Sequence, residues 1–173
     1  MKRTWPILLV VTSSLLLGPA VQAQESSFGI GAGPVDPQSL PRAVWFTANW
    51  RWKLRKNVVV EPEGGYWKKS DSTPGVTSSV RDVSGGLNIL YLVPKKSVTW
   101  FAGAGVGAHV IHSAFDIAGF SSDSDTEVKS ALHLMAGVDY KLTGSLRLFG
   151  AVRYDTVSDV QQNKVYGGLR LKL

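Results

Sequence analysis

The sequence predicts an all-β protein, an eight-stranded antiparallel up-and-down transmembrane β-barrel, and three observations carry that prediction. Read in steps of two, the chain after residue 23 falls into eight short segments, each with one apolar and one polar face. Tight turns alternate with longer polar connections between them. Aromatic residues on the apolar faces sort into two levels near opposite strand ends.

The first 23 residues are set apart as a cleaved signal peptide. Lys2 and Arg3 form a positive start, Ile7 to Val11 and Leu15 to Leu17 supply an apolar run, and Val21-Gln22-Ala23 is a cleavage site with small residues at its reading positions. Thr12, Ser13, Ser14, Gly18 and Pro19 break the run below the length that spans a bilayer. Residues 24–173 form one domain without cysteine, so its stability rests on packing or on a closed sheet. Without Lys2 and Arg3 the domain has 17 basic and 13 acidic residues, a net charge of +4. The charge is dispersed, which suits anionic lipid headgroups and excludes a nucleic-acid surface.

The segments are Ser26 to Gly33, Ala43 to Leu54, Val58 to Lys69, Val80 to Val93, Val98 to Ile111, Val128 to Leu142, Leu146 to Thr156 and Lys164 to Leu173. Gly, Pro, Asn, Asp and Ser cluster between them, as turns require. Arg55 to Asn57, Pro94 to Ser97 and Thr143 to Ser145 read as tight periplasmic turns. Pro34 to Arg42, Ser70 to Ser79, His112 to Glu127 and Val157 to Asn163 read as longer external loops.

The second segment shows the two faces. Val44, Phe46, Ala48, Trp50, Trp52 and Leu54 alternate with Trp45, Thr47, Asn49, Arg51 and Lys53. In water the apolar face would line a lipid-binding barrel, and in a bilayer it faces out. A turn pairing Leu54 with Val58 sets Arg51 opposite Glu61 and Asn49 opposite Glu63, both on the polar face. Asp82, Asn88, Asp139, Arg147, Arg153, Asp155 and Arg170 share that face, so it reads as a paired interior plug. Phe28, Trp52, Tyr91, Trp100 and Tyr140 fall near periplasmic strand ends, and Phe46, Tyr66 and Tyr154 toward external ends, which selects the bilayer reading. In the fifth segment Gly103, Gly105 and Gly107 read as leaving interior space for long Arg and Lys side chains.

With the Gly-rich first strand Phe28 to Gly33, the stretch Trp100 to Gly107 and the amphipathic last strand Val165 to Leu173, the domain resembles the small outer-membrane barrels of the OmpA, OmpX and opacity-protein type. That family usually ends in an aromatic residue, whereas this chain ends in Leu173. The resemblance implies a Gram-negative outer membrane, contact with outer-membrane lipids and lipopolysaccharide, and a structural or adhesin-like role.

Lipid A-modifying barrels place a His and a Ser two residues apart on a lipid-facing strand, and Ala151 to Thr156 has neither. His109 and His133 have inward parity and read as interior hydrogen-bonding groups. Three His without metal-ligand spacing predict no metal site and no cofactor. Ser121 to Glu127 is acidic but lacks the glycine and the terminal Glu spacing of a calcium loop, and reads as a solvated loop. Phe115, Ile117 and Phe120 precede it as apolar residues on an external loop, which read as a contact surface for an extracellular partner, or equally as residues at the membrane boundary or a cap on the barrel mouth. The expected protein is a non-catalytic monomer. A lipid A-modifying enzyme, a narrow channel and a soluble periplasmic lipid-binding barrel are the alternatives.

Overall fold

The computed structural model of the protein describes residues 25–38, 42–117, 123–158 and 160–173. Eight strands follow in order, β1 (Ser26–Pro37), β2 (Ala43–Arg55), β3 (Val58–Thr73), β4 (Val76–Lys95), β5 (Val98–Ile117), β6 (Asp123–Lys141), β7 (Leu146–Val157) and β8 (Val160–Lys172). Each pairs antiparallel with the next, and β1 closes on β8. Closure matters because a bilayer offers no hydrogen-bond partner to an open strand edge.

Alternation separates the two faces. Along β2, Val44, Phe46, Trp50, Trp52 and Leu54 are exposed while Trp45, Thr47, Asn49 and Arg51 are buried. The outward apolar run of β4 extends from Val83 to Val93 and that of β5 from Trp100 to Val110, eleven residues each. Eleven tilted residues are what an apolar band about 25–30 Å tall requires. At its external edge Tyr66, Val83, Val110 and Val128 stand side by side in register on four strands.

The strands do not stop there. β4 and β5 have 20 residues each and β6 has 19, so both hairpins continue past the band as paired ladder. The external stretches Ser70 to Ser79 and His112 to Glu127, expected as loops, are therefore largely strand. Between β3 and β4 only Pro74 and Gly75 turn, with Gly75 at φ 83°, the conformation a Pro-Gly turn asks of its glycine. The external connections β3–β4 and β7–β8 are therefore two residues long, like the periplasmic turns Lys56-Asn57 and Lys96-Ser97, while those after β1 and β5 span five. Beyond the bilayer the outward face turns polar and the inward face is mixed, so the period-two signal fades while the backbone ladder persists.

Two further expectations change. The β2–β3 register slips between Lys53 and Arg55, so Val58 faces Arg55 and not Leu54, while Asn49 still faces Glu63. The interior glycines of β5 make room for neighbours other than Arg or Lys. A Cβ on Gly105 would meet Asn88, one on Gly103 would meet Leu90, and one on Gly107 would meet His133. The leader residues 1–23 and Phe120 lie outside the described residues.

Candidate functional site

Inward alternation on eight strands delivers charged side chains to one narrow cylinder, and closure brings them within reach of one another. They settle in two layers. Nearer the periplasm, Arg51 Nε donates to Glu61 and Arg51 Nη1 donates to Asp139 at 2.7 Å. Arg170 Nη1 donates to Asp139 at 2.6 Å, and its Nη2 reaches Asn49 at 3.0 Å and Glu61 at 3.3 Å. Two guanidiniums thus face two carboxylates. Aromatic faces complete the shell, with Arg51 Cζ 4.2 Å from the Phe101 ring and Arg170 Cζ 4.7 Å from Phe149.

The outer layer centres on Asp155, which accepts from Arg153 Nε and Lys164 Nζ at 2.5 Å each and lies 2.8 Å from His133 Nδ1. Arg153 Nη1 also donates to Glu63. Asp82 accepts from Trp67 Nε1 at 3.1 Å and Gln162 Nε2 at 3.0 Å, with His109 Nδ1 at 2.7 Å. Trp45 and Tyr166 pack edge to face at 4.7 Å, and Lys164 Nζ lies 4.5 Å from the Trp45 ring. Three contacts cross the whole lumen. Arg51–Asp139 joins β2 to β6, Glu63–Arg153 joins β3 to β7, and Asp82–Gln162 joins β4 to β8, each pair four strands apart in a ring of eight.

Of the nine charged residues read from the sequence, Arg51, Glu61, Glu63, Asp82, Asp139, Arg153, Asp155 and Arg170 are buried in these layers. Arg147 stands apart, half-buried at the periplasmic mouth with Nη1 donating to Thr99 Oγ1 at 3.2 Å. Lys164, 1% exposed, is a member that sequence reasoning did not single out, although its alternation with Arg170 on β8 was visible. His109, His133 and Asp155 place one ligand atom each within 4.8 Å of one another, a grouping no sequence spacing displays because three strands supply it. Arg153 Nη2 lies 2.6 Å from His133 Nδ1 and Lys164 Nζ 2.5 Å from Asp155, so a metal ion would meet two fixed cations.

On the outer wall Phe28, Phe46, Trp52, Tyr66, Tyr91, Trp100 and Tyr140 are exposed, and Tyr154 is half-buried. Phe46 and Tyr66 stand directly opposite each other at the external level. Trp50, absent from the sequence reading of the girdles, packs between Phe28 at 5.9 Å and Trp52 at 6.4 Å. Phe115 and Ile117, expected on a loop, sit on β5 opposite Ser78 and Val76, with Phe115 45% exposed.

One outward step above Tyr66, Val83, Val110 and Val128 comes a second row in register, Lys68, Arg81, His112 and Thr126. The step above that holds Ser70, Ser79, Ala114 and Ser124. Neither Lys68 nor Arg81 has a carboxylate partner among the described residues. Lys68 and Arg81 are thus like charges directly across the sheet, which repel one another. His112 Nδ1 lies 2.8 Å from Thr126 Oγ1, and among the described residues no carboxylate orients its other ring nitrogen as a nucleophile's base would require.

A closed eight-stranded wall with an apolar belt, aromatic girdles and a charged interior defines a small outer-membrane β-barrel. The sequence model of the opacity family porin proteins matches residues 50–172, and the chain belongs to that family. Its place is the outer membrane of a Gram-negative bacterium. Solved barrels share the fold at low identity. Neisserial surface protein A is 16% identical over 86% of this chain and 97% of its own, with a TM-score of 0.66. Ail, the attachment invasion locus protein of Yersinia pestis, is 14% identical over 87% and 97%, with a TM-score of 0.63, and a second structure holds it in complex with the heparin analogue sucrose octasulfate. A major outer membrane protein of Thermus thermophilus is 14% identical over 88% and 100%, with a TM-score of 0.66. No curated protein matches the chain.

Proposed function

We propose that the protein is a non-catalytic, monomeric surface protein of adhesin-like role, which binds an anionic glycan outside the cell through the outward faces of its β3–β6 hairpins. The observation that carries this reading is the row Lys68, Arg81 and His112, with the hydroxyls of Ser70, Ser79 and Ser124 one step above it. Ammonium and guanidinium groups recognise sulfate or phosphate, and hydroxyls suit sugar oxygens. Acids in these hairpins fall mainly on the opposite parity, with Asp71, Asp123, Asp125 and Glu127 all facing the lumen side and Asp116 the first on the outward face. The heparin analogue held by Ail lends the reading support at the level of a shared fold.

The test is binding of cells displaying the protein to immobilised heparin. Wild type is expected to bind in a salt-dependent manner, and Lys68→Gln with Arg81→Gln to lose most of it. Equal retention by the double variant contradicts the assignment. The lipid A mass spectrum of the same cells is expected to match that of vector controls, because the two interior histidines are walled off from lipid. A lost or added acyl chain would establish an enzyme instead.

A further inference from the structure

We propose that the periplasmic mouth of the barrel is a binding site for a small phosphorylated anion, independent of the external surface. The mouth opens into a cavity of about 180 Å³ whose lining includes six cationic side chains and two acidic ones. Pairing within this set is uneven. Glu25 takes Lys53 at 3.0 Å and Lys172 at 2.9 Å. Asp139 takes Arg51 at 2.7 Å and Arg170 at 2.6 Å, and Glu61 supports both arginines from the barrel interior. Lys56 and Arg147 have no acidic partner among the described residues.

The sheet register concentrates this surplus. Lys141, Arg147 and Arg170 stand directly opposite one another on β6, β7 and β8, all on the inward parity. Three cations in a row on one face are mutually repulsive, and Asp139 neutralises only the Arg170 end. Two buried donors of the lining arginines, Arg51 Nη2 and Arg170 Nε, also have no hydrogen-bond partner. Unmet donors on buried guanidiniums are costly unless an acceptor reaches them. The hydroxyl-bearing Ser26, Ser27 and Thr99 line the same cavity. Converging ammonium and guanidinium donors with hydroxyls, around a cavity of this size, match a phosphoryl group carrying two charges better than a carboxylate carrying one.

Such a dianion has two sources, free phosphate or a soluble phosphate monoester in the periplasm, and the headgroup of an inner-leaflet phospholipid that bears two negative charges. The protein, folded in maltoside micelles, is titrated with inorganic phosphate at constant ionic strength balanced by chloride, with heat released and the ³¹P line width as readouts. Saturable binding is expected, weakened at least tenfold by Arg147→Gln and by Lys56→Gln, while heat-modifiable gel migration shows that both variants remain folded. A non-saturating response, or equal affinity in both variants, overturns the proposal. Repeating the titration in nanodiscs separates the sources. Competition by anionic but not zwitterionic lipid identifies the headgroup, and undiminished phosphate binding identifies a soluble ligand. Lys68→Gln with Arg81→Gln is expected to leave this binding unchanged, so the external and periplasmic sites fail or stand separately.

Discussion

Arg51 Nη1 lies 2.7 Å from Asp139 Oδ2, although the two residues are 88 positions apart and belong to strands on opposite sides of the barrel. The contact spans the lumen, and Arg51 holds Glu61 with its Nε at the same time. Arg51→Ala therefore strands two buried carboxylates and leaves Arg170 as their remaining cation. A loss of about 3 kcal/mol in unfolding free energy is expected, measured by denaturant titration in micelles. A loss below about 1 kcal/mol would mean that water enters this layer and screens the charges.

Asp155 is the hub of the outer layer, and its removal is expected to cost more than removal of any one donor to it. Asp155→Asn leaves Arg153 and Lys164 buried without the carboxylate that both address, for a loss of about 3 kcal/mol. Lys164→Met keeps the packing against Trp45 and leaves Asp155 with Arg153 and His133, so roughly 1 kcal/mol is expected. The reverse order in denaturant midpoints would place the hub elsewhere.

Glycine cost is expected to depend on which wall the residue faces. A Cβ on Gly65 would run into the Trp45 indole, and Trp45 is packed against Tyr166, so Gly65→Val is expected to lose about 2 kcal/mol. Gly150 faces outward, and a methyl added there would meet nothing within 4 Å, so Gly150→Ala is expected to be neutral within about 0.5 kcal/mol. Thermal unfolding of the pair in the same detergent checks both.

Glu25, ahead of the first membrane-spanning residues, ties β2 to β8 through Lys53 and Lys172. Hydrogen bonds from Lys172 and then Lys53 hold its carboxyl at about 2, down from 4.5. A depressed carboxyl stabilises the fold above the unfolded value and loses that contribution as pH falls from about 4.5 through 2. The group is largely exposed, so the contribution at neutral pH is expected to be below about 1 kcal/mol. Glu25→Gln should lower the midpoint slightly at pH 7 and match wild type near pH 2. A gap that widens toward low pH would contradict the pairing.

The strand count and the division into two faces were legible because each depends on alternation within a strand, and the closed transmembrane fold was legible from the two aromatic levels on the apolar faces. The Arg51–Glu61 and Asn49–Glu63 neighbours were legible as well, because the slip between Lys53 and Arg55 offsets the shorter turn and leaves the register beyond it as expected. Contacts across the lumen were not, because Arg51–Asp139 and Glu63–Arg153 follow from barrel closure and not from any sequence spacing. Lys164 was visible as an inward residue, yet nothing local marks it as the donor to Asp155. The hairpin extensions escaped notice for a different reason. Ser70 to Ser79 and Asp123 to Glu127 are polar on both faces, so they carry the composition of loops while forming a regular ladder.

Single-channel recording of the wild-type protein in planar bilayers tests the closed, cross-braced lumen most directly. No stepwise conductance is expected from the wild type, because Arg51–Asp139, Glu63–Arg153 and Asp82–Gln162 fill the bore from wall to wall. Sustained unit steps in the wild type, changed in size by Arg51→Ala or Asp139→Ala, would contradict the plug and establish a narrow channel.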